Sequence, residues 1–287
     1  MTLHALDSQT PGGVYLCQVS ETVSCGACCG LYNVADPSRP ALQRLLARRT
    51  ERFSRAPRTA DAIADFEAEI RAAEPSERPL PEYHHCAFIG LIGRHRSRVG
   101  CLLHPLADGN NGLDFRGLSF YGGMACNGYF CPSCREMPAR IKRSVRAAAN
   151  DWHLYGMVVT ESRLLTGLVA AAESRANRRL DPAMLSADSA AADAFRNLLA
   201  LKRDWPFRTD PAQSVHYFFN DGLYPRPSID PTRPGLASTE WTPLLSELGG
   251  DWSADQAIPE AESRIAAAVD RFAAELRRAD VALSREA

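Results

Sequence analysis

The residues of this chain best suited to chemistry are cysteines, and they are concentrated in a few places. Residues 24–30, SCGACCG, carry three thiols within five positions, at Cys25, Cys28 and Cys29. All nine cysteines lie in the first half of the chain, at Cys17, Cys25, Cys28, Cys29, Cys86, Cys101, Cys126, Cys131 and Cys134. Because thiolates are the preferred ligands of zinc and of iron–sulfur clusters, all nine are candidate metal ligands.

The spacing of the cysteines supports a metal site. Two residues separate Cys25 from Cys28, and two separate Cys131 from Cys134, which is the spacing that lets both thiolates of a loop face one ion. Together with Cys126, the second pair forms Cys-x4-Cys-x2-Cys, the spacing of plant-type [2Fe–2S] ferredoxins. Glycines beside the first pair, Gly26 and Gly30, leave the backbone free to point its amides at sulfur.

The adjacent pair Cys28 and Cys29 cannot easily serve one tetrahedral ion, because neighbouring side chains diverge. Nine thiols fit two four-thiol sites with one to spare, or one site plus buried free cysteines. Spacing alone suggests one ligand set made of Cys25, Cys28, Cys86 and Cys101. It suggests a second set made of Cys126, Cys131 and Cys134 and completed by Cys17 or Cys29.

Three histidines lie close to cysteines and widen the choice of ligands. His84 and His85 precede Cys86, and His104 follows Cys101 by three residues. Any of them could complete a Cys3His zinc site or a Rieske-like mixture of cysteine and histidine. The sequence leaves open whether they are ligands at all.

The cysteine pattern resembles that of a known family. SCGACC, then CAFIG from Cys86, GCLLHP around Cys101 and finally Cys126 are similar to the pattern of the CxxCxxCC proteins, the YkgJ-like zinc- or iron-chelating domain. The resemblance covers roughly residues 15–135 and implies a metal-chelating function. It departs from the family at Cys17, which is separated from Cys25 by seven residues rather than two or three, and at His104-Pro105, where the family has Arg-Pro. The flagellin lysine-N-methylases carry a similar signature, which is a weaker link.

Zinc and iron–sulfur both remain open as the cofactor. Zinc prefers a closed tetrahedral site, whereas a cluster prefers thiolates whose sulfurs accept hydrogen bonds from amides. Nine cysteines in glycine-rich loops favour an iron–sulfur cluster slightly over zinc.

Composition restricts the class of protein. The 287 residues are 45% hydrophobic and 23% charged, with a formal net charge of −1, which gives no electrostatic reason to expect a nucleic-acid or membrane partner. The first residues lack the basic and apolar regions of a secretory signal. We therefore expect a cytoplasmic protein, whose thiols stay reduced, and an unidentified protein or small molecule as its partner.

The sequence predicts an α+β fold in two regions. Residues 1–135 form an irregular, cysteine-rich region organised by metal, in which AFIGLIG and RVGCLL are short strands. A helical insertion occupies about residues 37–74, with Ser38 and Thr59 as caps of its two helices. Residues 136–287, which include a basic stretch at residues 135–146, form a mainly helical region.

Three classes of function follow. The first is a metal-binding protein, with a redox or electron-transfer role if the metal is a cluster. The second is a zinc-stabilised module that binds a partner. The third is a group-transfer enzyme, similar to the lysine-N-methylases, with a pocket in residues 150–255. Whether the protein is an enzyme stays open.

Overall fold

A computed structural model describes residues 2–74, 78–185, 189–210, 239–254 and 256–286 of the chain. The fold is α+β and mainly helical, with one small antiparallel sheet, as the sequence predicted. The helices within the described residues are α1 (Leu3–Gln9), α2 (Arg39–Ser54), α3 (Ala60–Ala73), α4 (Pro132–Glu136), α5 (Ala139–Ala148), α6 (Trp152–Val158), α7 (Ser162–Ala176), α8 (Ala190–Leu199), α9 (Thr242–Leu248) and α10 (Ala257–Glu286).

The helical insertion is present and begins where the caps predicted. The Ser38 hydroxyl accepts a hydrogen bond from the amide of Ala41 at the start of α2, and Thr59 caps α3 in the same way through Ala62. Each cap satisfies an amide that the first turn of a helix leaves without a partner. The buried stripe of α3 contains Ile63, Phe66 and Ile70.

Two short strands, β1 (Ile89–Ile92) and β2 (Arg98–Cys101), form the sheet predicted from AFIGLIG and RVGCLL. They pair antiparallel, with Ile89 opposite Cys101. All four residues of β1 are buried, because α2 packs against this strand. The hairpin thus lies between the helical insertion and the cysteine loops.

Two hydrophobic clusters form the core. The larger contains residues from Val14 to Leu276 and includes the packed faces of α5 to α10. The smaller is built around Phe53, Phe66 and Phe88, whose rings meet edge-on or tilted. The boundary predicted between residues 135 and 136 stays a prediction, and the larger cluster contains residues from both sides of it.

Within the described part of the chain, every helix is either too short or too polar to cross a bilayer.

Candidate metal centre

The first cysteine loop folds back on itself. The amide of Cys25 donates to the carbonyl of Cys17 at 2.8 Å, and an isolated bridge pairs Gln18 with Ser24. These contacts bring Cys17 and Cys25 to the same end of a small loop, although their spacing in the sequence is wider than that of a metal knuckle. The amide of Ala27 points at the sulfur of Cys25 at 3.5 Å, as the glycine-rich sequence predicted.

A single turn of 3-10 helix at Ala27–Cys29 follows and ends at Gly30, where φ is +71°. A side chain at Gly30 would meet the carbonyl of His84, since a Cβ there would lie 2.1 Å from that oxygen. This close approach allows the amide of Cys86 to donate to the carbonyl of Cys29 at 2.9 Å. Glycine is therefore required where the two cysteine segments meet.

The hairpin places Cys101 on the same side as Cys86. Cys101 ends β2 opposite Ile89, and the amide of Leu102 donates to the carbonyl of Phe88 at 2.8 Å. Cys86 and Cys101 both pack against the smaller hydrophobic cluster. The structure thus brings together two thiols that are fifteen positions apart in the sequence.

Cys126 is reached through a wide π-helical turn, Gly122–Cys126. The guanidinium of Arg116 donates to the carbonyl of Cys126 at 3.3 Å and pairs with Asp114 at 2.6 Å. Arg116 also lies within electrostatic range of the sulfurs of Cys101 and Cys126. A cation is therefore held beside this part of the cysteine region.

The last pair opens α4. Cys131 is the residue before its first turn, and Pro132 occupies the first helical position, which proline tolerates because it has no amide to satisfy. The sulfurs of Cys131 and Cys134 are 3.9 Å apart. The thiols of Cys17 and Cys134 lie close enough for each to affect the pKa of the other.

Lys142 of α5 lies directly behind this pair. Its side chain is fully buried, and its ammonium donates to the carbonyls of Cys134 and Gly12, each at 2.7 Å. Two other charges of the same basic stretch face partners within the protein, because Arg140 pairs with Glu173 and Arg146 with Asp7. These three charges of the stretch therefore serve internal contacts.

A cavity of about 250 Å³ lies at the centre of the cysteine region. Every cysteine except Cys131 and Cys134 lines it, together with His84, His104 and Arg116. Aromatic rings close it, among them Tyr15, Tyr129 and Phe130. All nine cysteines are free thiols; Cys134 is buried and the other eight are partly buried.

The thiols are strongly affected by burial and by one another. Burial raises the pKa of Cys101 to about 12 and raises the pKa values of Cys25, Cys86 and Cys126. Cys28 is different, because a hydrogen bond from its neighbour, the thiol of Cys29, lowers its pKa. The protein without metal therefore holds most of these thiols protonated, and metal binding must release those protons.

The histidines near the cysteines have different roles. Both ring nitrogens of His85 are engaged, Nδ1 with the carbonyl of Gly30 at 2.9 Å and Nε2 with Arg49 at 2.7 Å. His85 is therefore placed as a structural residue. His84 and His104 do line the cavity, and burial lowers the pKa of each to about 4, so both rings are neutral at pH 7.

Arg49 is a residue that our reading of the sequence missed. Its guanidinium is fully buried, pairs with Glu74, and donates to the carbonyl of Cys86 at 2.8 Å. A signal was available, since Arg49 stands on the same helical stripe as Leu42, Leu46 and Phe53. A charged residue on an apolar stripe indicates a buried polar contact.

The donor set fits a thiolate-bound metal. In a tetrahedral zinc site with Zn–S bonds of about 2.3 Å, neighbouring sulfurs are about 3.8 Å apart, and Cys131 and Cys134 are 3.9 Å apart. Across the described residues, however, no three cysteine, histidine, aspartate or glutamate side chains are already grouped so as to hold an ion. Binding would therefore need the remaining thiols to turn toward the metal.

The predicted enzyme pocket in residues 150–255 was also examined; residues 211–238 of that range lie outside the described residues. A cavity between α5, α6 and α8, lined by Tyr155 and Arg196, has a volume of about 10 Å³. That void is too small for a substrate. A more open depression of about 330 Å³ is lined by Met137 and Pro138 and by Ser162, Arg163 and Thr166 of α7. The pocket in residues 150–255 therefore stays a prediction.

The comparisons with known proteins gave no match. No family model, no curated protein and no solved structure matches this chain. The resemblance to the CxxCxxCC proteins therefore stays a prediction.

Proposed function

We propose that this protein binds metal through its clustered cysteines and holds an iron–sulfur cluster or zinc, with the cluster slightly favoured. The observation that carries the proposal is that thiols from widely separated segments meet around one partly buried cavity. Seven free thiols around one cavity are not needed to fold a chain with a hydrophobic core of this size. Metal binding gives a reason for their arrangement.

The cavity supports a cluster over a single zinc ion. A zinc ion in a closed structural site fills the space between its four ligands. The cavity has a volume of about 250 Å³, which is about the volume that eight water molecules occupy in the liquid. An iron–sulfur cluster brings its own sulfide atoms and would occupy more of that space, and it would supply one-electron transfer when bound.

The chain's own residues would bind and shield the metal. Thiolates would supply the ligands, and the amide of Ala27 already points at the sulfur of Cys25. Hydrogen bonds from amides to ligand sulfur stabilise the anionic thiolate. The rings of Tyr129 and Phe130 line the cavity and would shield a bound metal from water.

Metal analysis and a UV–visible spectrum of protein purified without oxygen test the proposal. Iron with an equal amount of acid-labile sulfide, in a brown protein, would support a cluster and make reduction potential the next measurement. Zinc in a colourless protein would support the alternative, a structural module that binds a partner. Protein that holds no metal after reconstitution with iron and sulfide, or with zinc, would refute the proposal.

A further inference from the structure

We infer that the cysteines form two separate four-thiol centres, one made of Cys17, Cys25, Cys131 and Cys134 and the other of Cys29, Cys86, Cys101 and Cys126. This inference rests on the proposed function and adds to it the number of centres and the ligands of each. We call the first set centre A and the second set centre B. The grouping differs from the one that spacing alone suggested, which placed Cys25 with Cys86 and Cys126 with Cys131.

The geometry of centre A joins two loops. The backbone hydrogen bond between Cys25 and Cys17 fixes one pair, and the first turn of α4 fixes Cys131 and Cys134 with their sulfurs 3.9 Å apart. Lys142 connects the two segments, because its ammonium donates to the carbonyl of Gly12 before the first loop and to the carbonyl of Cys134, and the thiols of Cys17 and Cys134 lie close enough to interact. Cys25 completes the set, because its backbone is tied to Cys17 and its thiol lies within electrostatic range of Cys28, Cys131 and Cys134.

The geometry of centre B joins the remaining segments. The backbone hydrogen bond from Cys86 to Cys29 fixes one pair. The hairpin brings Cys101 to the same end as Cys86, and both pack against the smaller hydrophobic cluster. Cys126 lies within electrostatic range of Cys86 and Cys101. None of these contacts involves α4.

Cys28 is the ninth thiol and lies between the two centres. It is hydrogen-bonded to the thiol of Cys29, which belongs to centre B. It also lies within electrostatic range of Cys17, Cys25 and Cys131 of centre A. Cys28 therefore interacts with thiols of both sets.

The buried cations are divided in the same way as the thiols. Four thiolates around a divalent ion, or around an oxidised cluster core with two positive charges, leave two net negative charges, which are costly to bury unpaired. Lys142, fully buried, lies behind Cys134 of centre A. Arg116, with 15% of its side chain exposed, lies beside Cys101 and Cys126 of centre B. Each centre therefore has its own cation.

Single cysteine variants of the full chain test the inference. We expect Cys134→Ala and Cys101→Ala each to lose about half of the bound metal and to keep the rest. The double variant should lose all of it. Ser144→Ala serves as a matched control, because it removes one buried polar atom, which has no hydrogen-bond partner, and no sulfur. Far-UV circular dichroism checks that each variant is folded. Each variant is then reconstituted either with iron and sulfide or with zinc, and its metal content is measured.

The outcomes separate the two proposals. If folded Cys134→Ala and folded Cys101→Ala each lose all of the metal, the protein has one centre and the inference is wrong while the proposed function stands. If either variant fails to fold, the wild-type stoichiometry decides. Two zinc ions, or iron for two clusters, per chain supports two centres, and the amount for one centre overturns the inference. A wild-type protein without metal refutes the proposed function itself.

Discussion

Two neighbouring glycines allow the packing behind Cys134 to be tested by a matched pair of substitutions. Gly12 and Gly13 both have positive φ, +80° and +71°. A Cβ at Gly12 would lie 2.3 Å from the carbonyl oxygen of Cys134 and 2.7 Å from the ammonium of Lys142, whereas a Cβ at Gly13 would meet nothing within 4 Å. Gly12→Ala and Gly13→Ala therefore share the backbone cost and differ in the clash.

The structure gives the expected magnitude. An alanine at positive φ costs about 1–2 kcal/mol, and the lower entropy of the unfolded chain returns about 0.4–1 kcal/mol. We therefore expect Gly13→Ala to lower the free energy of unfolding by about 1 kcal/mol. A Cβ at Gly12 would clash with the backbone carbonyl of Cys134, which cannot move far, and with the ammonium of Lys142. The ammonium must therefore shift and lose at least one of its hydrogen bonds. Such a bond to a charged group contributes about 1.5–3 kcal/mol, and Gly12→Ala should cost about 3–4 kcal/mol.

Equilibrium urea denaturation of the metal-free protein measures both values. A double-mutant cycle with Lys142→Met shows whether the effect passes through the ammonium, since Gly12→Ala should cost less in that background. Equal destabilisation by Gly12→Ala and Gly13→Ala, within about 0.5 kcal/mol, would show that the contact between this loop and Lys142 is not formed.

Three further substitutions test other parts of the site. Gly30→Ala should destabilise the protein by about 2 kcal/mol more than Gly112→Ala, because both have positive φ but only Gly30 faces a backbone carbonyl; equal urea midpoints would contradict this. Arg49→Met should cost about 1.5–3 kcal/mol in the same assay, since Glu74 and the carbonyl of Cys86 lose a charged donor while Glu74 keeps Arg48, and a loss below about 0.5 kcal/mol would argue against the pairing. The hydrogen bond from Arg146 lowers the pKa of Asp7, so the stabilisation by Asp7 is present above its ordinary pKa of 3.8 and is lost as pH falls through the lowered value. The stability difference between the wild type and Asp7→Asn should therefore be constant above pH 3.8 and shrink progressively as the pH falls below it in a pH series of thermal melts, and a difference that does not change with pH would refute the contact.

Local signals in the sequence predicted the local structure. The hydroxyls of Ser38 and Thr59 marked the starts of α2 and α3 because a helix needs a side-chain acceptor for its first amides. The apolar runs around Ile89 and Val99 marked the strands, because β-branched residues fit a pleated, buried surface. The α+β class followed from these elements, and the structure confirms it.

The arrangement of the cysteines depends on contacts that are distant in the sequence and could not be read from spacing. Cys25 and Cys28 looked like a pair because two residues separate them. The hydrogen bond between the backbones of Cys25 and Cys17 adds a neighbour that spacing does not show. Under our inference, the position of α4 then decides which thiols meet. Lys142, which donates to the carbonyl of Cys134, stood out in the sequence only as one charge of a basic stretch.

The cysteine segments extend from Cys17 to Cys134. A metal bound by thiols of several segments would therefore cross-link parts of the chain that are distant in the sequence. A metal that joined Cys17 to Cys134, or Cys29 to Cys126, would close a loop of about a hundred residues, which in the chain-entropy picture removes about 4–5 kcal/mol of freedom from the unfolded chain. The larger hydrophobic cluster already holds the helices together without such a link. Removing the metal with a chelator would therefore make unfolding easier while leaving the helices formed, which is the opposite of a small zinc finger, where the metal is the core.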